Sequence, residues 1–486
     1  MNHATNVTNA TKRVQRLFRT AWLCICLCTY LSACVVGPDY ERPVTELPEF
    51  WHVDLDYKSN DPNSLADQAW LDIFRDPQLR ELIDIALSNN REMLLALERI
   101  EEARSLYTVN RAPLFPTIDV ELTGEREDES ALTTDDPELS DELFLGPTIG
   151  WELDLWGKNR RTARAAYARY RSEEYGAQAV RLQLMADVSA AYFSLAGVVA
   201  RLATNYDTLT SRERSLIIAE KRFKGGLTSK LEVKQAEVEL AASRAFIPRA
   251  EQEQLALENL LAILLGEVPK HFTLESKLEE QYVPTAVTAG LSADLLERRP
   301  DIMQAEQQLI ASSEAVGIAT ARLLPNITLT GGLGFQTEEF DDFFDDKGEY
   351  WIAQLDIAMP LFNAGARRAQ LSAAQARFNQ TRLRYEQVVL QALREVSDSL
   401  NQFYKSGELL QAQLSLESAA AEYLSLATKR YRNGVLAYLQ VLDAQRQLFD
   451  AQIAVSIARE AQLRALVGLY KALGGGWEPA SLAASR

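Results

Sequence analysis

Cys34 is the residue best placed to do chemistry. It follows Leu31-Ser32-Ala33, and that follows an apolar stretch from Ala21 to Leu31. Ahead of the stretch stand Lys12, Arg13, Arg16 and Arg19, with no acid among them. A basic region, a short apolar region and small residues before a cysteine describe a signal-peptidase site, and cleavage there frees a thiol that can take a lipid. Cys24, Cys26 and Cys28 lie inside the apolar stretch and leave with it, so Cys34 has no partner for a disulfide. Beyond this thiol the chain offers little for a reaction. Past the leader its histidines are His52 and His271, far apart and in no motif. No His, Cys and carboxylate set has metal-ligand spacing. Gly157-Lys158-Asn159 lacks the glycine spacing and the Ser/Thr of a phosphate loop, and Gly332-x-Gly334 meets Thr337 where a dinucleotide fingerprint needs glycine. The chain therefore reads as a non-enzyme with no catalytic residue, no cofactor and no metal.

The Leu31–Cys34 segment resembles the bacterial lipobox. Residue 35 is Val, not Asp, which by analogy with bacterial lipoproteins favours the outer membrane over retention at the inner one. An ordinary signal peptide with incidental cysteines is the alternative, and the order of the features favours acylation. The 486 residues carry a formal net charge of −17, and losing the four basic residues of the leader makes the chain more acidic. That balance argues against nucleic-acid binding, which needs basic stripes. No apolar run reaches the roughly 18–20 residues of a spanning helix.

The elements that must position these residues come twice, about 208 residues apart. Arg222-Phe223-Lys224-Gly225-Gly226-Leu227 is echoed by Arg430-Tyr431-Arg432-Asn433-Gly434-Val435, and Leu231, Val233 and Ala236 return as Leu439, Val441 and Ala444. Leu114-Phe115-Pro116-Thr117-Ile118 returns as Leu323-Leu324-Pro325-Asn326-Ile327.

Each copy holds two alternating segments. Ile118, Val120 and Leu122 interleave with Thr117, Asp119, Glu121 and Thr123; Leu145, Ile149, Trp151, Leu153 and Leu155 interleave with Thr148, Glu152 and Asp154. Ile327, Leu329, Leu333 and Phe335 interleave with Asn326, Thr328 and Thr330; Trp351, Ala353, Leu355, Ile357 and Met359 interleave with Gln354 and Asp356. Runs of about ten residues, apolar on one face and polar on the other, suit tilted strands between lipid and water. A soluble sheet with one wet face has the same alternation. The acidic stretches 125–142 and 336–350 read as loops between paired strands. Four strands cannot close a barrel, and open edges do not survive in lipid, so the barrel must be shared between protomers; alternation does not choose between two and three.

After each strand pair comes a long helical pattern. Leu184, Val188, Ala191, Leu195, Val198 and Leu202 keep coiled-coil spacing, as do Val389, Leu393, Val396, Leu400 and Phe403. A helix over about 158–223 would be roughly 100 Å long at 1.5 Å per residue. Gly225-Gly226 and Asn433-Gly434 should end the two helices, since Gly and Asn tolerate the left-handed cap. These turns, Gly225 to Leu227 and Asn433 to Val435, are the tips of helical hairpins.

Read together, these features resemble the TolC/OprM-type outer membrane factors, in the lipoprotein branch that serves tripartite efflux. The carrying motifs run in order through the whole chain. They are Cys34-Val35-Val36-Gly37-Pro38-Asp39-Tyr40, Trp70-x3-Phe74-x-Asp76-Pro77, Arg298-Arg299-Pro300-Asp301-Ile302, Pro360-Leu361-Phe362-Asn363, Tyr431-x2-Gly434-x4-Leu439-x-Val441-Leu442-Asp443 and Ala472-Leu473-Gly474-Gly475-Gly476-Trp477. The resemblance implies a mainly α fold with membrane β: a homotrimer with a twelve-stranded barrel, four strands per protomer, above a coiled-coil periplasmic tunnel with a mixed equatorial belt. It implies a passive exit duct for drugs or other small toxic solutes, expelled by an inner-membrane RND-type transporter through a periplasmic adaptor that docks on the tips. It places the periplasmic constriction at Leu439 and Asp443, four residues apart and on one helix face. A ring of Leu439 would close the duct sterically, and a ring of Asp443 would attract cations; some relatives carry a second acid where Gln440 stands here. On residues alone, Asp443 reads as an exposed acid or a partner of Arg446. Exit ducts of type I protein secretion belong to the same family, and a non-transporting lipoprotein that braces the envelope is a reading from another class. The expected divisions are a signal peptide (1–33), an N-terminal anchor and equatorial segment (34–80), a first repeat (81–270), an inter-repeat segment (271–297), a second repeat (298–474) and a tail (475–486).

Overall fold

A computed structural model describes residues 35–44, 65, 70–128, 139–284, 295–337 and 348–475. Cys34, His52, Trp477 and the middle parts of both acidic stretches lie outside the described residues. The chain divides into two compact units. The first draws its described residues from Met1–Pro43, Glu101–Ser172 and Ala305–Tyr385, the second from Val44–Ile100, Glu173–Gln304 and Glu386–Arg486.

The first unit holds an antiparallel sheet of β1 (Thr117–Asp128), β2 (Leu139–Glu152), β3 (Asn326–Thr337) and β4 (Glu349–Ala358), in that order. Its register matches the alternation. Ile118 faces Ile149, Leu122 faces Leu145, Trp151 faces Leu329, and Leu333 faces Trp351. Apolar residues of all four strands thus share one face. Among the described residues no second layer covers that face: Val120 and Trp351 are both 77% exposed. The strands are longer than the alternation. Glu125 pairs with Glu142 and Arg126 with Asp141, so the ends of the expected 125–142 loop are ladder; Gln336, Thr337, Glu349 and Tyr350 are likewise strand. Backbone pairing continues where side chains no longer alternate. Conversely, Leu153, Leu155 and Met359 lie beyond their strands.

One place in the sheet admits no side chain. Between β2 and β3 the pairing skips from Leu145–Phe335 to Thr148–Gly332, where Pro147 has no N–H to give. A Cβ on Gly146 would lie 2.1 Å from the Leu333 carbonyl oxygen, and one on Gly334 would lie 2.3 Å from that of Leu145.

Helices α1 (Trp70–Ile73), α2 (Pro77–Asn89) and α3 (Arg91–Arg111) precede β1. After β2 come α4 (Lys158–Lys224) and α5 (Lys230–Leu264); α6 (Leu295–Arg298) and α7 (Pro300–Ala321) precede β3; α8 (Ala366–Arg432) and α9 (Tyr438–Ala472) follow β4. The duplication is exact in these boundaries: Lys158 and Ala366, Lys224 and Arg432, Lys230 and Tyr438, Leu264 and Ala472 are each 208 apart. One helix among the described residues, α4, has a stretch apolar and long enough to cross a membrane, and 72% of that stretch is buried.

In the second unit the expected seam of α4 is buried from Leu184 to Leu202. On α8 it runs through Val389, Ala392, Val396, Leu400 and Phe403. Leu393 is only half-buried, because the true step from Val389 is three residues, to Ala392. Two arginines interrupt the apolar interior of the first hairpin. Arg201 pairs with Glu253 (3.0 Å) and Glu460 (2.7 Å). Arg212 pairs with Glu239 (3.1 Å) and donates to the Ser243 hydroxyl (2.9 Å).

The Trp70–Pro77 motif now has a physical account. Trp70 and Phe74 pack with Tyr470 and Phe193. Pro77 opens α2, and the Asp76 carboxylate caps it by accepting from the Gln78 and Leu79 N–H groups. Asp76 also accepts from the Tyr192 hydroxyl (2.7 Å) and the Gln281 amide (2.6 Å). Burial pushes the Asp76 carboxyl up, but the bonds from Gln281, Tyr192, the Leu79 N–H and Ser276 together outweigh it and leave it below the ordinary value. A depressed folded-state value stabilises above the unfolded value of about 3.9, and the benefit is lost as pH falls through the folded one. Asp76→Ala is expected to cost about 1–2 kcal/mol near neutrality. Thermal melts should show the gap to the unmodified protein closing below pH ~4; a gap independent of pH would contradict this.

Arg298–Ile302 and the Ala472–Gly474 motif meet each other. Arg299 is buried and bonds the Ala472 carbonyl (2.9 Å), both Asp301 oxygens (3.0 and 2.7 Å) and Glu395 (2.8 Å).

Candidate functional site

The two hairpin tips are built alike. Leu227 N–H donates to the Arg222 carbonyl (2.9 Å) and Gly226 N–H to that of Phe223 (3.0 Å); Val435 bonds Arg430 (3.0 Å) and Gly434 bonds Tyr431 (2.9 Å) in the same pattern. This is a Schellman cap, with its left-handed residue at Gly226 (φ 71°) and Gly434 (φ 74°). Gly225 and Asn433, which the sequence also offered for that role, keep negative φ. Lys221, Arg222 and Lys224, and Lys429, Arg430 and Arg432, occupy the last turns, where positive charge favours the helix dipole. Leu227 (72%) and Val435 (71%) are the most exposed apolar points of the tips.

Behind the tips the repeated residues divide into two sets. Val233, Ala236, Val441 and Ala444 are buried in one cluster with Ala219, Ala427, Tyr438 and Leu442. Leu231 (65%) and Leu439 (58%) stay exposed. They line a groove of about 540 Å³ between α5 and α9, with Val238, Asp443 and Arg446. Leu439 and Asp443 therefore lie together, as their spacing requires. Leu231, which the sequence marks only as the repeat counterpart of Leu439, joins them in the groove.

The Asp443 carboxylate is engaged on both oxygens. Arg446 donates to Oδ1 (2.8 Å) and Gln447 to Oδ2 (2.8 Å). Within one protomer its charge is compensated by the next turn of its own helix. His271 Nδ1 lies 2.8 Å from the buried Glu258 carboxylate.

Comparison with known proteins agrees with this architecture. The chain is 35% identical over 456 residues to the solvent efflux pump outer membrane protein SrpC of Pseudomonas putida, covering 92% of this chain and 96% of that one. It is 34% identical over 457 residues to the outer membrane protein OprJ of Pseudomonas aeruginosa, covering 92% and 94%. Among solved structures, the outer-membrane channel OprN superposes with a TM-score of 0.85 at 31% identity, over 92% of this chain and 100% of that one. The open state of the MtrE outer membrane channel of Neisseria gonorrhoeae gives 0.82 at 29%, over 91% and 98%. The sequence pattern of one family, outer membrane efflux protein, matches residues 82–267 and again 291–475, so each half of the duplication carries it. With that pattern matched over both halves and relatives above 30% identical along nearly the whole chain, the protein belongs to the outer membrane efflux protein family and resides in the outer membrane.

Proposed function

We propose that three copies of this chain join their sheets edge to edge into one twelve-stranded barrel, continued by a helical tunnel, as the exit duct of a tripartite efflux pump. The cargo is drugs or other small toxic solutes. An inner-membrane RND-type transporter supplies the energy, and a periplasmic adaptor docks on the tips. Acylated Cys34 adds a lipid anchor, and Leu439 with Asp443 narrows the periplasmic entrance. The observation that carries this reading is the sheet: among the described residues β1 and β4 are its two edges, each paired on one side only, and its apolar face has no cover. Lipid tolerates such a sheet only when closed on itself.

Gly434→Asp tests the docking role. A Cβ at Gly434 meets nothing within 4 Å, so the change costs about 1 kcal/mol of backbone strain and the hairpin persists. In a strain whose chromosomal copy is deleted, the unmodified gene should restore resistance to the exported compounds. The variant should not, while reaching the outer membrane at the normal level. Full resistance, with adaptor cross-linking intact, would remove the tips from the docking surface.

A further inference from the structure

The signature Val35 to Tyr40 is more than a tether behind Cys34, because a buried arginine grips it. Arg161, in the first turn of α4, is 1% exposed. Its Nε donates to the Val36 carbonyl (2.8 Å) and its Nη2 to that of Gly37 (3.1 Å). Its Nη1 pairs with Glu314 of α7 at 2.8 Å. Val36 N–H donates to the Trp156 carbonyl (3.2 Å).

The fit depends on three glycines. A Cβ on Gly37 (φ +102°) would lie 2.7 Å from the Gly317 Cα, one on Gly317 would lie 2.3 Å from Arg161 Cδ, and one on Gly157 (φ +79°) would lie 2.8 Å from Val35 Cγ1. Further along, Arg42 makes a two-pronged pair with Glu306 of α7 (2.7 and 2.8 Å), and Tyr40 donates to the same carboxylate (3.0 Å). Burial, then the Glu306 carboxylate, pushes the Tyr40 phenol up, so it remains a donor. A buried guanidinium spent on main-chain carbonyls holds the path of the chain whatever its side chains.

The geometry points to Arg161 and Glu306 as positioning residues that clamp residues 36–42, the stretch that follows the acylated Cys34 in the chain, against the Trp156-Gly157 turn after β2. This rests on the lipidation reading.

The test uses the full-length protein in outer membranes. Brief proteinase K digestion is followed by mass spectrometry of the N-terminal peptide and of the remaining chain. The unmodified protein and Cys34→Ser should both keep residues 36–42 protected. Arg42→Met and Gly37→Ala, on the strap side, and Arg161→Met should release that peptide roughly tenfold faster or more, because the protease reads the opened population. Arg42→Lys should restore part of the protection. The hairpins should digest at an unchanged rate in the strap-side variants, which keeps the test valid if Arg161→Met fails to fold. Equal release from every variant, or a strap already open in the unmodified protein, overturns the clamp. The peptide mass decides separately whether Cys34 carries lipid: a protected strap on an unacylated Cys34 refutes the lipid anchor and leaves the clamp standing.

Discussion

Replacing Leu439 and Asp443 together by alanine is expected to raise the resting conductance in planar bilayers on the order of twofold or more, since an apolar ring closes a pore by excluding water. The two residues should act differently. Leu439→Ala alone should account for most of the gain, with little change in ion selectivity. Asp443→Ala alone leaves Arg446, which now sits 2.8 Å from that carboxylate, without its partner in the groove. The entrance then becomes more positive, and the reversal potential in a salt gradient should move toward anions. Because Arg446 and Gln447 already occupy both Asp443 oxygens, divalent cations should block the unmodified protein only weakly. Conductance and selectivity equal to those of the unmodified protein in all three variants would place the constriction elsewhere.

A second large effect is expected in the sheet. Gly146→Ala and Gly334→Ala each drive a methyl group into a backbone carbonyl, at 2.1 and 2.3 Å. Backbone cannot give way as a side-chain end can, so each change should cost about 1–3 kcal/mol or more. The amount of heat-resistant oligomer in the outer membrane should fall sharply. Gly124→Ala is the control: its Cβ would meet only Leu143 Cδ2, at 3.2 Å, and it should assemble normally. If all three variants assemble equally well, the β2–β3 crossing is looser than its geometry.

The two substitutions also show what a sequence can carry. Alternation at Ile118–Leu122 and Trp351–Ile357 is a local signal, and it located the strands and their shared face. It fell silent at Arg126 and Asp141 because pairing there is between backbones. The close approach of Gly146 and Gly334 is not local; the two are far apart in the chain and meet only through the β2–β3 register. Helix ends were legible from Gly226 and Gly434, since few residues adopt positive φ. The path of the α8 seam was misjudged by one residue because Leu393 is larger and more apolar than Ala392, while geometry alone decides which one faces inward. The network of Asp76, Tyr192 and Gln281 spans 116 and 205 residues, and no motif spacing announces it. At the candidate constriction the Arg446 partner of Asp443 was visible three residues on. Leu231 was visible as well, through the repeat.

Arg201 and Arg212 have a consequence for how the long helices find their alignment. A seam that repeats every seven residues is nearly satisfied after a slip of one heptad, about 10 Å at 1.5 Å per residue. Such a slip would carry Arg201 away from Glu253 and Glu460, and Arg212 away from Glu239. It would strand two buried guanidiniums, at a cost of about 3–5 kcal/mol for each arginine left without a carboxylate. The equivalent positions 208 residues on are Leu409 and Ala420, to which a slipped seam costs no charge. The arginines of the first hairpin act as indexing pins: they fix the vernier of the helices that contact them, α9 included through Glu460.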